Sequence, residues 1–320
     1  MMGFASSFLT HGMLENRRDN PSMKRTKVAV AAVVVLGMFG TAIASDRWVN
    51  WLGVDNARDF GGLKTIDGRV VRTNRIYRSQ AFNDNAICDW LTEPRIAAEY
   101  RSGHFQLEFG RRNANEFIAR IDRRDFDRSF RELAAALRRD KSLWRKGELR
   151  GTPESRRRIV AETGLRTELD LRTKSECWGM TGSPLGASVR WVNVPSEEST
   201  FAWYRTVKGR EFFSACFRLF LDEKNYPINI HCIAGADRTG CLAYVLEAVL
   251  GVREEEMIED YALTSLTSSG NRPKDRIVKN AKAFDAYSGK TIHERVRAYV
   301  LECGFTPEDI MHFRGIVLAQ

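Results

Sequence analysis

The chain has 320 residues, 43% of them hydrophobic and 28% charged, with 24 glycines and 8 prolines. That balance excludes a disordered, low-complexity or collagen-like chain, and the length allows a sizeable core. A formal charge of +9 points to an anionic partner, whether a phosphate-bearing substrate, a membrane surface or nucleic acid.

From Met23 the sequence runs MKRTKVAVAAVVVLGMFGTAIAS: three basic residues, an apolar run from Val28 to Phe39, then Ala42-Ile43-Ala44. This order predicts a secretory signal cut after Ala44, preceded by an upstream extension over 1–22. The other reading is an uncleaved membrane anchor. The uncharged stretch from Val28 to Ala44 is 17 residues, short of the roughly 20 that a span needs. Either reading exports residues 45–320, expected to form one domain, to the periplasm or the medium.

Beyond the leader, Gly61-Gly62 and Asp67-Gly68 predict a small β-hairpin, with VVRTNRIYRS continuing as a strand. From about 83 to 158 the pattern turns helical and basic, with Phe117, Ile118, Ile121, Phe126, Phe130, Leu133 and Leu137 at spacings of mostly three and four. Residues 95–158 hold 18 Lys/Arg against 10 Asp/Glu, a net +8. The segment reads as a helical cap inserted into the domain, with an anionic membrane surface or an acidic substrate as its possible partner. No RNA-binding, zinc-finger or helix-turn-helix signature accompanies the charge, so nucleic acid is not expected. Next come a helix opened by Thr152-Pro153 and stopped by Gly164, strands in LRTELDLRT and VRWVNVPS, a helix in EFFSACFRLFLDE, the strand INIHC and the helix TGCLAYVLEAVLG. EEEMIEDYALTS and the stretch from Thr291 to the C-terminus read as helices. Alternating strands and helices predict an α/β fold: a central, mainly parallel sheet flanked by helices.

Six cysteines (Cys88, Cys177, Cys216, Cys232, Cys241 and Cys303) lie beyond the leader, where disulfides are permitted. Their spacing fits no zinc pattern, and the histidines show no metal-ligand spacing, so no metal or cofactor is implied. Cys232 stands apart. It follows a short apolar run and opens the turn CIAGADR, which leads into a helix. Backbone N–H groups of such a turn (Ile233, Ala234, Gly235, Ala236, Asp237, Arg238), with the positive end of the following helix, form a cradle for a tetrahedral dianion. Arg238 offers a planar fork for two phosphate oxygens. The same field favours thiolate over thiol at Cys232, making a nucleophile aimed at a held phosphorus atom.

The stretch resembles the signature loop of cysteine-dependent phosphatases, H-C-x5-R-[ST]. The longer HCIAGADRTG is similar to the bacterial tyrosine-phosphatase branch that also hydrolyses phosphoinositides. NARDFGG with IYRS, ELDLRT, and EEEMIEDYALTS resemble further segments of that branch, in the same order, from Asn56 to the C-terminus. The resemblance implies a cysteine phosphatase fold with Cys232 as nucleophile and Arg238 as phosphate clamp. It implies support from Thr239 and His231, Arg58 and Asp59 near the site, and Asp237 as general acid. Glu197 and Glu198 are the alternative acids, in the region where conventional tyrosine phosphatases carry theirs. The branch usually has lysine where this chain has Ala236, which weakens a phosphoinositide substrate. The expected activity is therefore protein-tyrosine phosphatase. Phosphoinositide or inositol-phosphate hydrolysis is the alternative, and an inactive phosphate- or membrane-binding module is the reading from another class. Arg58 with Asp59, and Asp170 with Arg172 at a strand end, are equally open to scaffold roles.

Overall fold

The computed structural model describes residues 47–83, 150, 152–174, 176–177 and 180–320. The leader, Cys88 and nearly all of the basic cap expected over 83–158 lie outside them. Five strands, β1 (Arg58–Asp59), β2 (Ile76–Ser79), β3 (Thr167–Asp170), β4 (Arg190–Asn193) and β5 (Ile228–His231), form one sheet in the order β1-β2-β5-β3-β4. Only β1 is antiparallel to its neighbour; β2, β5, β3 and β4 run parallel. The fold is thus the expected α/β sheet flanked by helices.

Register places the site. Ser79 pairs with His231, His231 with Asp170 and Asp170 with Asn193, so four strands end in one row. The central strand β5 leaves that row into the loop 232–236, on the carboxyl edge where open α/β sheets bind ligands.

Alternation along the strands divides the core. Ile76, Leu169, Ile228 and Ile230 join a large cluster with Phe201, Phe213, Phe217, Tyr299 and Phe313. Tyr77 faces the other way, to Trp51, Phe82, Ile159 and Leu165. The helices are α1 (Pro153–Thr163), α2 (Phe201–Tyr204), α3 (Val207–Phe220), α4 (Asp237–Leu250), α5 (Glu254–Leu263), α6 (Lys274–Ala281), α7 (Ile292–Glu302) and α8 (Pro307–Val317). α1 starts and stops where its sequence says: Thr152 and Ser155 form a capping box, and Gly164 closes it at φ 62°. None of these helices is long and apolar enough to cross a membrane.

Two expectations change. The hairpin over 61–79 shrinks to a bridge between Lys64 and Val70 before β2. Asp59 is the reason: its carboxylate accepts the N–H groups of Gly61 (2.8 Å) and Asn74 (2.7 Å), holding the turn by a side chain where a ladder would otherwise run. The helices α2 and α6 lie in stretches that the apolar pattern left unassigned. Cys177, Cys216, Cys232, Cys241 and Cys303 are all free thiols.

Candidate active site

The loop between β5 and α4 is shaped from behind. The carbonyl of Ile233 accepts from Ala81 N (3.1 Å), that of Ala234 from Asn56 Nδ2 (3.1 Å) and Ser269 Oγ (3.2 Å), and that of Gly235 from Arg78 Nη2 (2.8 Å). With the carbonyls drawn outward, the N–H groups of Ile233 to Arg238 find no acceptor among the described residues. Six donors gathered at the N-terminus of a 14-residue helix that has no side-chain cap make an anion cradle. Gly235 is required there: its φ is 65°, and a Cβ would stand 2.2 Å from the Ser79 carbonyl oxygen.

Cys232 lies at the floor, 4% exposed. Burial opposes its thiolate, but the Arg238 charge and the hydroxyl and N–H of Thr239 outweigh it and hold the pKa below the ordinary thiol value. The Thr239 hydroxyl is buried and has no hydrogen-bond partner among the described residues, which leaves it free to donate to the thiolate it favours. Arg238 is gripped by Glu176 in a two-pronged contact, 2.7 and 3.0 Å. Glu176 in turn accepts the Thr173 N–H at 2.7 Å. Burial works against this carboxylate, yet Arg238 and Thr173 keep its pKa low.

Beneath the loop, His231 Nε2 meets Glu168 Oε1 at 2.7 Å and its Nδ1 faces the Cys232 carbonyl oxygen at 3.0 Å. Burial disfavours the imidazolium, but Asp170 and Glu168 prevail and raise its pKa. Asp170 is paired with Arg172 (2.7 Å) and accepts from Trp191 Nε1 (3.1 Å), both deep in the protein. The ligand atoms of Glu168, Asp170 and His231 lie within 4.8 Å of one another, a metal-like spacing. Arg172, Trp191 and Ser183 already fill that acceptor shell.

Arg58 and Asp59 do not pair with each other. Arg58 turns to Asp260 of α5 (3.0 Å), which also binds Arg78 (2.5 Å) and Arg47 (2.8 Å). Arg58 further donates to Asn56 Oδ1. Burial and the Arg78 charge push its pKa down to about 10. Asp260, against its burial, is held far below the usual carboxylate range by these arginines. One acid thus anchors Arg58 and Arg78, and through them and Asn56 the loop carbonyls.

Asp237 sits at the mouth, its two oxygens each 2.8 Å from Arg272 and one of them 3.0 Å from Arg276. Glu197 and Glu198 are exposed and stay outside the loop's hydrogen bonds: Glu197 pairs with Lys208 at 3.2 Å and Glu198 accepts from Thr200 at 3.2 Å. The geometry therefore gathers Cys232, Arg238, Thr239, His231 and Asp237, sets Arg58 behind the loop, and leaves Asp59 to the turn. Glu176, Arg272, Arg276, Asp260 and Arg78 carried no role in the sequence reading, although Arg78 and Asp260 lie inside the motifs IYRS and EDYALTS. Nothing near Glu176 or Arg272 in the sequence marks them.

Comparison with curated proteins gives no match. The tyrosine phosphatase family model matches residues 49–93 and 124–319, well over half of the chain and including β5, the loop and α4. The chain belongs to the tyrosine phosphatase family.

Proposed function

We propose that the chain is a cysteine-dependent phosphate-monoester hydrolase whose first substrate is phosphotyrosine in proteins, working outside the cytoplasm. The observation that carries this reading is the buried, thiolate-favouring Cys232 beside the Arg238 fork and a loop whose six N–H groups find no acceptor among the described residues. The thiolate attacks phosphorus, an S–P bond forms and the ester P–O bond breaks, and the leaving oxygen takes up a proton. Water then attacks the phosphocysteine, releasing inorganic phosphate and restoring the thiolate. Six amides and Arg238 are fixed before substrate arrives, so they meet the charge that develops on the equatorial oxygens with little reorganisation. Asp237, which lies in the loop itself, is the acid assigned to protonate the leaving oxygen. To donate a proton it must first be released by Arg272 and Arg276. Ala236 leaves the loop without a lysine of its own, which favours phosphotyrosine over phosphoinositide.

The test is phosphate release from an aryl phosphate by reduced protein in the presence of EDTA, with Cys232→Ser alongside. Turnover that EDTA leaves intact and the substitution abolishes is expected. A folded, reduced wild type that binds vanadate and releases no phosphate would overturn the reading in favour of a binding module.

A further inference from the structure

We propose that Arg272 and Arg276 form a charged rim beside the phosphate loop that selects phosphotyrosine flanked by an acidic residue. This rests on the phosphotyrosine reading above and goes beyond it.

The segment between α5 and α6 is held in place at several points, one of them on the loop itself. Ser268 donates to Asp55 through N (2.7 Å) and Oγ (2.5 Å), Ser269 Oγ donates to the Ala234 carbonyl (3.2 Å), and the Arg272 N–H donates to Ser265 Oγ (2.8 Å). Arg272 is therefore delivered to the mouth from a fixed backbone, close enough for its charge to interact with that of Cys232. Its fork takes both oxygens of Asp237, and Arg276, one turn into α6, takes one of them again.

One arginine would satisfy Asp237; the second leaves the group with one positive charge in excess. The charged neighbours on α6 are already paired, Lys274 with Glu259 of α5 (3.0 Å) and Asp275 with Lys279 (2.7 Å). The Arg276 side chain is half exposed, and its donors other than Nη2 find no acceptor among the described residues. An unspent guanidinium edge thus faces solvent at the rim of a phosphate cradle, matched to a carboxylate.

The test uses the full chain and two phosphotyrosine peptides that differ only in flanking Asp/Glu against Asn/Gln, with kcat/KM measured at low and high salt. The expected wild-type preference for the acidic peptide is about fivefold, the scale of one exposed charge pair, and it shrinks as salt rises. Arg276→Gln removes the preference, and Arg276→Glu turns it toward a lysine-flanked peptide, a reversal that a merely structural role would not produce. Equal turnover of both peptides by wild type, or a preference that survives Arg276→Glu, overturns the rim alone. Hydrolysis of aryl phosphate with neither peptide turned over overturns the phosphotyrosine reading and the rim with it. An inositol bisphosphate preferred over the acidic peptide, with that preference lost in Arg276→Gln, overturns the peptide assignment.

Discussion

Replacing Asp260 with asparagine tests whether the loop is held from behind. The side chain is buried, and it faces Arg58 and Arg78, whose side chains are 0% and 1% exposed, as well as Arg47. Removing one partner of a buried ion pair costs about 3–5 kcal/mol, because the remaining charge stays desolvated. Glu247 moderates the loss. It is buried, has an unpartnered Oε1, and its pKa is raised well above the ordinary carboxylate value by burial and by the Asp260 charge beside it. With Asp260 neutral, Glu247 can ionise and answer the arginines, so Asp260→Asn alone should fall at the lower end, about 3 kcal/mol, a Tm loss on the order of 10 °C. The double variant with Glu247→Gln should lose more than the sum of the two single changes, since neither acid can then compensate. Thermal unfolding of the four proteins reads the coupling. Vanadate binding reads the loop, where loss of the Arg78 tether on the Gly235 carbonyl should weaken affinity about tenfold or more. Asp260 is held below its unfolded value, so its contribution is complete above the ordinary carboxylate pKa of about 4 and disappears as pH falls below it. Asp260→Asn should therefore flatten the acid limb of stability. A variant as stable as wild type within about 1 kcal/mol, with vanadate affinity unchanged, would refute the support role.

Three further outcomes follow from the site. Gly235→Ala places a methyl 2.2 Å from the Ser79 carbonyl at φ 65°, and should cost about 2–4 kcal/mol in denaturant melts together with most activity. Glu176→Gln removes the carboxylate from the Arg238 fork, worth about 1.5–3 kcal/mol for bonds to a charged group. That is a fall of roughly ten- to a hundredfold in kcat/KM on aryl phosphate, with little change in Tm; an unchanged kcat/KM would show that Arg238 needs no second anchor. Cys232 should be alkylated by iodoacetate at pH values below the ordinary thiol range, and Arg238→Ala should move that profile upward, because Arg238 is the leading group that favours the thiolate against burial. A profile that stays in place would assign the lowered pKa to Thr239 and the amides.

What the sequence made legible has a physical pattern. The run from Ile228 to Leu250 could be read outright, because a buried parallel strand is a continuous apolar run, and the glycine turn and helix after it have their own marks. α1 was equally open, since its cap, its proline and its terminal glycine are local chemistry. Contacts between distant residues were not. Glu176 reaches Arg238 across 62 positions and Arg272 reaches Asp237 across 35, and no periodicity encodes either pairing. α6 buries only Ile277 and Ala281, a stripe too narrow for a pattern to register. The motif containing Asp260 was visible as resemblance, but its partners Arg58 and Arg78 emerge only once β1, β2 and α5 are packed together.

The cluster behind the loop can act in two ways, by shape and by field. Arg47, Arg58 and Arg78 outnumber Asp260 and Glu247, which leaves the cluster behind the amides positively charged. Such a field draws a dianion into the cradle and favours the thiolate. The geometric role runs through Arg78 on the Gly235 carbonyl and through Arg58 on Asn56, whose amide holds the Ala234 carbonyl. Asp260→Asn combined with Glu247→Gln separates the two roles, because with neither acid able to ionise it adds positive charge while it loosens the tethers. If the field governed, the variant would bind vanadate more tightly; if shape governs, it binds less well. The arginines spend their best donors on carbonyls and on Asp260, away from the cradle, and the amides contact the anion directly while the cluster stands one layer behind. Distance and the intervening Asp260 weaken the field, whereas a rotated peptide removes an amide donor altogether. Shape should therefore prevail, and the double variant should weaken vanadate binding despite its added charge.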